Sequence, residues 1–172
     1  KAKGVRTLGI VNVVGSSIAR EADNVMYTWA GPEIAVATTK AYSTQLIAHY
    51  LLAMKFAKVR GTIGDAEFQS MLEDLKQIPE QISLLLSHKE NVQRFANRYL
   101  AAEHVFFIGR GIDYAISMEG SLKLKEISYI HSEAYAAGEL KHGTISLIED
   151  GRLVVAVLTQ PSLYKKTLSN IQ

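Results

Sequence analysis

Three short runs of branched apolar residues constrain the fold of this 172-residue chain more than any other feature. They lie at residues 8–14 (LGIVNVV), 104–108 (HVFFI) and 153–158 (LVVAVL), and the first two are closed by glycine. Apolar runs of this length, followed by helical patterns, are typical of strands in parallel sheets whose faces are covered by helices. The first run in particular predicts a strand buried on both faces. The sequence therefore predicts an α/β fold built from parallel sheets between helical layers.

Helical patterns follow the first strand. A second short strand is expected at residues 24–29, and apolar residues then recur every four positions over residues 39–58. Residues 65–102 form a helix-rich region that we expect to be interrupted at Pro79 and near residues 87–88. The predicted helix ends are N-caps at Ser16, Ser17 and Thr38, and a stop at Gly61.

The α/β pattern continues in the second half. Helices are expected at residues 113–129 and from residue 162 onward, whereas residues 134–143 are expected to be irregular or partly helical. The first strand begins close to residue 1, and the last helix has no stop signal. We therefore expect the chain to be an excerpt of a larger protein.

Composition excludes several classes of function. The chain carries 19 basic and 17 acidic residues, scattered without a basic run, so neither nucleic acid nor an anionic membrane is an expected partner. It contains no cysteine, which excludes disulfides and cysteine-ligated metals within these residues. No apolar run approaches the roughly 20 residues that span a bilayer, and a cytoplasmic location is expected.

Three charged residues of the predicted helix at residues 113–129 are the first candidates for chemistry. Offsets of four and three place Glu119, Lys123 and Glu126 on one helical face. Two carboxylates that flank an ammonium group can divide proton transfer between them. The alternative is a solvated face of stabilising salt bridges, and spacing alone favours that alternative.

A glycine turn, residues 109–111 (GRG), precedes this helix. Its backbone N–H groups could face a phosphate or sugar, or the turn could serve only to reverse the chain. A dinucleotide fingerprint would need a third glycine where Tyr114 stands, so no nicotinamide or flavin cofactor is expected.

Among the histidines, His142 is the candidate acid–base group because it lies in a glycine-flanked irregular segment. Spacing alone favours the alternative, a surface histidine with no role. His131 and Glu133 lie close together, but no second pair has metal-ligand spacing, and no metal site is predicted.

A continuous run of residues goes further than these spacings. Residues 119–143 (EGSLKLKEISYIHSEAYAAGELKHG) closely resemble the isomerase region of the glucosamine-6-phosphate synthases, which are glutamine–fructose-6-phosphate aminotransferases. Residues 31–45 (GPEIAVATTKAYSTQ) and 12–17 (NVVGSS) resemble the first sugar isomerase (SIS) domain of the same family. The resemblance implies three-layer αβα domains of SIS type, in tandem. It places the end of the first domain at residues 1–62, a helical connector at 63–90, and the start of the second domain at 91–172.

The resemblance also implies roles for individual residues. In that family Glu126 would be the base that moves a proton between C1 and C2 of fructose 6-phosphate, Lys123 its cationic neighbour, and Glu119 the acid that orients them. His142 would open the sugar ring in the site of the partner subunit of a homodimer. Sugar contacts would come from the segment Val36, Ala37 and Thr38, where Thr38 replaces the serine of some members.

Other parts of the family's machinery are not among these 172 residues. The phosphate cradle (SQSGET), the lysine that forms an imine with the sugar and the cysteine that attacks glutamine are all missing. We therefore expect the 172 residues alone to be inactive. Two alternatives stay open from the sequence: an SIS-type deglycase of fructosamine phosphates, and a sugar-phosphate binding module without catalysis.

Overall fold

A computed structural model describes residues 1–171, which form two compact units. The first unit, Lys1–Lys89, contains a two-stranded parallel sheet and two long helices. Its elements, in chain order, are β1 (Leu8–Val11), α1 (Ser17–Glu21), β2 (Asn24–Tyr27), α2 (Thr39–Val59) and α3 (Asp65–Ser87). Leu8 of β1 is in register with Asn24 of β2, and α2 packs against α3.

The first strand is shorter than the sequence predicted. The ladder ends where the Thr28 N–H donates to the Val11 carbonyl, because the next residue, Asn12, bonds to the following loop through its side chain. Val13 and Val14 lie beyond the strand and are more than 60% exposed. The prediction of a parallel strand is confirmed, but its extension to residue 14 with both faces buried was wrong.

The ends of α1 and α2 show which cap predictions hold. Ser16 caps α1 by accepting a hydrogen bond from the Ala19 N–H at 3.3 Å, as predicted. Gly61 ends α2 in the left-handed region (φ 69°), donating its N–H to the Lys58 carbonyl at 3.1 Å. Thr38 occupies the N-cap position of α2, but it is itself left-handed and its hydroxyl donates to the Val36 carbonyl instead. The predicted N-cap position of Thr38 is therefore confirmed, but its side chain does not cap the helix.

Helix α3 runs through Pro79 without the expected break and ends at Ser87, where an interruption was also expected. Pro79 is exposed, so its ring and its missing N–H lie on the solvent side. A helix can absorb one lost hydrogen bond on that side by bending, which explains why it continues.

The second unit begins at Glu90 and contains a three-stranded parallel sheet of order β4-β3-β5. Its strands are β3 (His104–Gly109), β4 (His131–Ala136) and β5 (Leu153–Ala156). The helices are α4 (Lys89–Ala96), which starts at the boundary, α5 (Ile112–Ser128) and α6 (Pro161–Ile171), with 3-10 turns at Asn97–Tyr99, Leu140–His142 and Thr144–Leu147. The predicted α/β class with parallel sheets is confirmed.

Strand β4 was not predicted, since residues 134–143 were expected to be irregular or partly helical. Its sequence, HSEAYA, lacks an apolar run, and its most deeply buried residue is Ser132. The Ser132 hydroxyl donates to the Ser121 carbonyl at 2.8 Å, so a polar side chain is satisfied in the interior. Beyond the strand, Ala137 and Leu140 join Ile108 in the core, and Leu140–His142 forms one 3-10 turn.

Candidate active site

Helix α5 brings the three predicted charged residues together. The Lys123 ammonium lies 2.7 Å from Glu126 Oε2 and 3.3 Å from Glu119 Oε1. The side chains of Lys123, Glu119 and Glu126 are 19%, 20% and 27% exposed. The shared helical face is thus confirmed, and it is partly sheltered from solvent.

The two carboxylates act on the ammonium group. The hydrogen bond to Glu126, reinforced by Glu119, raises the pKa of Lys123 despite partial burial, which acts in the opposite direction. Lys123 is therefore a cation throughout the physiological pH range. A fixed cation between two carboxylates can stabilise negative charge that develops on a bound substrate, while a neighbouring carboxylate exchanges a proton.

The opposite side of α5 explains how the helix is held. A Cβ atom on Gly109 would lie 2.4 Å from the Asp113 carbonyl carbon, so only glycine allows the chain to turn this sharply from β3 into α5. Ser121 lies against Ser132, with their hydroxyl oxygens 3.0 Å apart, and Gly120 faces the Phe107 ring. Small residues thus let α5 approach the sheet closely, which fixes the helix that carries the charged face.

A buried carboxylate for which no functional role was predicted ties α5 to the segment after β5. Asp113 is 1% exposed, and its carboxylate accepts hydrogen bonds from the Thr159 N–H, at 3.0 Å, and from the Thr159 hydroxyl. Burial alone would raise the pKa of Asp113, but the hydrogen bonds from Thr159 and Gln160 outweigh it and lower that pKa. The sequence signal that could have indicated this role is the position of Asp113 in the first turn of a helix, directly after a glycine turn.

The glycine turn before α5 forms hydrogen bonds with other residues of the second unit. The Arg110 carbonyl accepts a hydrogen bond from Gln160 Nε2 at 2.7 Å, and the guanidinium donates to Asn170 Oδ1 at 2.7 Å. Gly138 packs on the guanidinium. These contacts give the turn a structural part in joining β3, α5 and α6.

His142 lies apart from the charged face of α5 along the chain, at the end of the 3-10 turn Leu140–His142. Its Nδ1 is 3.0 Å from Glu139 Oε2, and its side chain is 73% exposed. Leu140, at 5% exposure, anchors the turn in the core. The ring is therefore held at the surface beside a carboxylate, where another molecule can reach it.

The predicted sugar-contacting segment belongs to the first unit. Val36 is 83% exposed, Ala37 is 6% exposed, and Thr38 precedes the first turn of α2. The Thr38 hydroxyl donates to the Val36 carbonyl at 3.0 Å. The segment therefore presents an exposed apolar side chain and backbone next to the amino end of a 21-residue helix.

Within residues 1–171, no three His, Asp or Glu side chains are grouped so as to hold a metal ion. No helix in that part of the chain is long and apolar enough to cross a membrane.

Comparison with known proteins assigns the fold. The family model for the SIS domain matches residues 1–55 and 99–172. This chain belongs to the SIS domain family. The SIS chain is similar to the glutamine–fructose-6-phosphate aminotransferase (isomerizing) of Caldanaerobacter subterraneus subsp. tengcongensis, with 59% identity over the whole chain, and to that of Clostridium tetani, with 55%. It spans 28% of the length of each of these relatives.

Solved structures agree with this assignment. The C-terminal domain of glucosamine-fructose-6-phosphate aminotransferase from Francisella tularensis superposes with a TM-score of 0.94 at 42% identity. The match covers 98% of the SIS chain and 47% of the Francisella chain. A glucosamine-6-phosphate deaminase from Thermotoga maritima superposes with a TM-score of 0.66 at 27% identity, and the match covers 95% of the SIS chain and 49% of the Thermotoga chain. The predicted resemblance to the aminotransferase family is thereby confirmed.

Proposed function

We propose that this chain is part of the isomerase of a glutamine–fructose-6-phosphate aminotransferase. The complete protein would convert fructose 6-phosphate and glutamine to glucosamine 6-phosphate and glutamate. The observation that carries the proposal is the charged face of α5, where Lys123 lies between two partly sheltered carboxylates, in a chain up to 59% identical to proteins of that name. Residues 1–62, 63–90 and 91–172 would be the end of one SIS domain, a connector and the start of a second.

The proposed roles follow from the groups on that face. Glu126 takes a proton from C1 of the sugar and returns it to C2, so no net proton is gained or lost. Lys123 stabilises the negative charge that develops on the intermediate, because it remains protonated between its carboxylate neighbours. Glu119 orients Lys123 from the other side, at 3.3 Å.

Val36, Ala37 and Thr38 are proposed to contact the sugar. Support comes from the exposure of Val36 and from the position of the segment just before α2. The first N–H groups of a helix have no partner within the helix, so they can donate hydrogen bonds to a polar ligand. No cofactor or metal is required for this reaction. The expected location is the cytoplasm, and neither nucleic acid nor a membrane is an expected partner.

The first experiment tests catalysis in the full-length protein. Glu126→Gln keeps the shape of the side chain but removes the base, and we expect glucosamine 6-phosphate formation to fall at least 100-fold. Glu103→Gln makes the same change on an exposed carboxyl in the same unit and is expected to leave the rate unchanged. An active Glu126→Gln variant would remove the assigned base. Release of sugar phosphate from fructosamine phosphate, without glucosamine 6-phosphate formation, would favour a deglycase instead.

The second experiment tests the proposed homodimer, in which His142 serves the partner's site. Its exposed ring fits a group that is donated to another molecule. Glu126→Gln and His142→Ala are each expected to be inactive alone. When the two variants are mixed and allowed to exchange subunits, half of the dimers carry one intact site, so about a quarter of wild-type activity should return. Lack of recovery despite demonstrated exchange would place both residues in the same subunit's site.

A further inference from the structure

The loop at residues 28–38, which leads from β2 to α2, has an unusual backbone. Trp29 (φ 53°) and Thr38 (φ 54°) are both left-handed, although one is bulky and the other β-branched. Such residues rarely adopt this conformation, and it persists only where the surroundings impose it. The loop must therefore be held by other parts of the unit.

Asn12, the residue after β1, holds the start of this loop. Its Oδ1 accepts hydrogen bonds from the Ala30 N–H at 2.8 Å and from the Thr28 hydroxyl at 3.2 Å. Its Nδ2 donates to the Gly31 carbonyl at 2.7 Å. One side chain at the carboxyl end of β1 thus binds three of the first four residues of the loop.

The chemistry of these partners requires an amide. A reversed Asn12 would place its NH₂ group against the Ala30 N–H and its oxygen against the Gly31 carbonyl, so both contacts would become repulsive. Aspartate has the same shape but no donor for Gly31, and an apolar residue has neither group. Asn12 is therefore matched to this loop by its hydrogen-bonding pattern as well as by its size.

Further contacts come from α2 and from the loop itself. The Lys40 ammonium of α2 donates to the Pro32 carbonyl, beside the residues that Asn12 binds. At the far end the Tyr42 N–H of α2 donates to the Thr38 carbonyl at 3.2 Å, and the Thr38 hydroxyl donates to the Val36 carbonyl. Val36 and Ala37 thus lie between two anchored parts of the loop. Its strained conformation is imposed from β1 and from α2.

We propose that Asn12 is a positioning residue of the sugar-phosphate site. Acting through the backbone of residues 30 and 31, it holds the loop so that Val36, Ala37 and Thr38 face the sugar in one conformation. This inference rests on the proposed function, which assigns sugar contacts to those three residues. Because these contacts bind the substrate before the reaction as well as during it, their loss is expected to affect KM more than kcat.

The test uses Asn12→Asp in the full-length protein. Replacing the donor by a carboxylate oxygen that faces the Gly31 carbonyl should raise the KM for fructose 6-phosphate about tenfold, as expected for losing one or two hydrogen bonds. The kcat should change less, and glutamine hydrolysis should be unchanged. The matched control is Asn24→Asp, the same replacement on an exposed residue of the adjacent strand, which should behave as wild type.

Amide hydrogen exchange supplies a readout of the loop itself. Faster exchange confined to residues 28–38 in Asn12→Asp, with an unchanged melting temperature, would support the proposal. A folded Asn12→Asp variant with wild-type KM and wild-type exchange would overturn it. If Asn12→Asp and the uncharged Asn12→Ser both fail to fold, Asn12 serves the fold as a whole and the positioning role is also overturned.

The same measurements separate this inference from the proposed function. If the wild-type protein makes no glucosamine 6-phosphate, the proposed function fails, and the Asn12→Asp kinetics then have no substrate to report on. Hydrogen exchange still decides whether Asn12 anchors the loop, since it requires no substrate. If the wild type is active and Asn12→Asp is unaffected, only the positioning role is refuted.

Discussion

The buried carboxylate of Asp113 provides the sharpest test of how the second unit is held together. It is 1% exposed and accepts hydrogen bonds from the N–H and the hydroxyl of Thr159, which follows β5. Asp113→Asn has nearly the same shape and can keep both Thr159 contacts, because the Thr159 hydroxyl can accept from the new NH₂ group. The substitution removes the charge that these contacts and the donors of Gln160 stabilise.

The expected cost follows from the two hydrogen bonds. A hydrogen bond to a charged group contributes about 1.5–3 kcal/mol and a neutral one about 0.5–1.5 kcal/mol. Exchanging two charged bonds for neutral ones should therefore cost about 2 kcal/mol. With a urea slope of about 2 kcal/mol per molar, the unfolding midpoint should fall by about 1 M. Asp113→Ala removes the acceptor entirely and should lower the free energy of unfolding more, by about 3 kcal/mol. Water replaces the lost acceptor only in part, because the Thr159 donors are partly buried.

Urea denaturation at several pH values would check both the size and the sign. Hydrogen bonding lowers the pKa of Asp113 in the folded protein, against about 3.9 in the unfolded chain. The difference between wild type and Asp113→Asn should thus be constant above about pH 5 and shrink as the pH falls through the folded pKa. Asp150→Asn, an exposed acid of the same unit, is the control. Equal effects of the two substitutions, or a difference that grows at low pH, would refute the reasoning.

Three further measurements test other parts of the fold. Gly109→Ala should lower the melting temperature clearly more than Gly120→Ala. The new Cβ at residue 109 would lie 2.4 Å from the backbone of α5, whereas that at residue 120 would lie 3.1 Å from an aromatic ring. Equal shifts in melting temperature would contradict this. The hydrogen bond to Glu133, together with burial, raises the pKa of Tyr135 to about 12, so ultraviolet titration should show one late phenol that Glu133→Gln moves to lower pH. Ser16→Ala should cost about 1 kcal/mol of unfolding free energy, through loss of the α1 cap, and a neutral effect in urea titration would exclude that role.

The sequence was informative where one local signal decides the structure. Apolar runs located β3 and β5, and spacings of four and three predicted the shared face of Glu119, Lys123 and Glu126. Both signals depend only on residues within a single element. A continuous run of residues then identified the family, which no single spacing could do.

Prediction failed where distant residues decide. Strand β4 has no apolar run; it pairs with β3, and its buried Ser132 is satisfied by the Ser121 carbonyl of α5, eleven residues earlier. Threonine is a common N-cap residue, but Thr38 has a left-handed backbone at the end of its loop, and its hydroxyl donates to the Val36 carbonyl instead of capping α2. Strand β1 stops early because Asn12 bonds to the loop after β2. Each of these features depends on a contact between elements, and a pattern along one element does not contain it.

Stability is a poor explanation for the charged face of α5. Salt bridges on a helix surface contribute little to stability, and here the side chains of Lys123, Glu119 and Glu126 are also about three-quarters or more withdrawn from solvent, so the desolvation cost of the pairs offsets part of their attraction. The fold already fixes α5 through its opposite side, by Gly109, Ser121 and the Asp113 carboxylate. Three partly sheltered charges on the remaining face are thus better explained by chemistry than by folding. Removal of the proposed base, Glu126, should then reduce activity far more than it changes the unfolding midpoint, which is the pattern that separates a catalytic group from a structural ion pair.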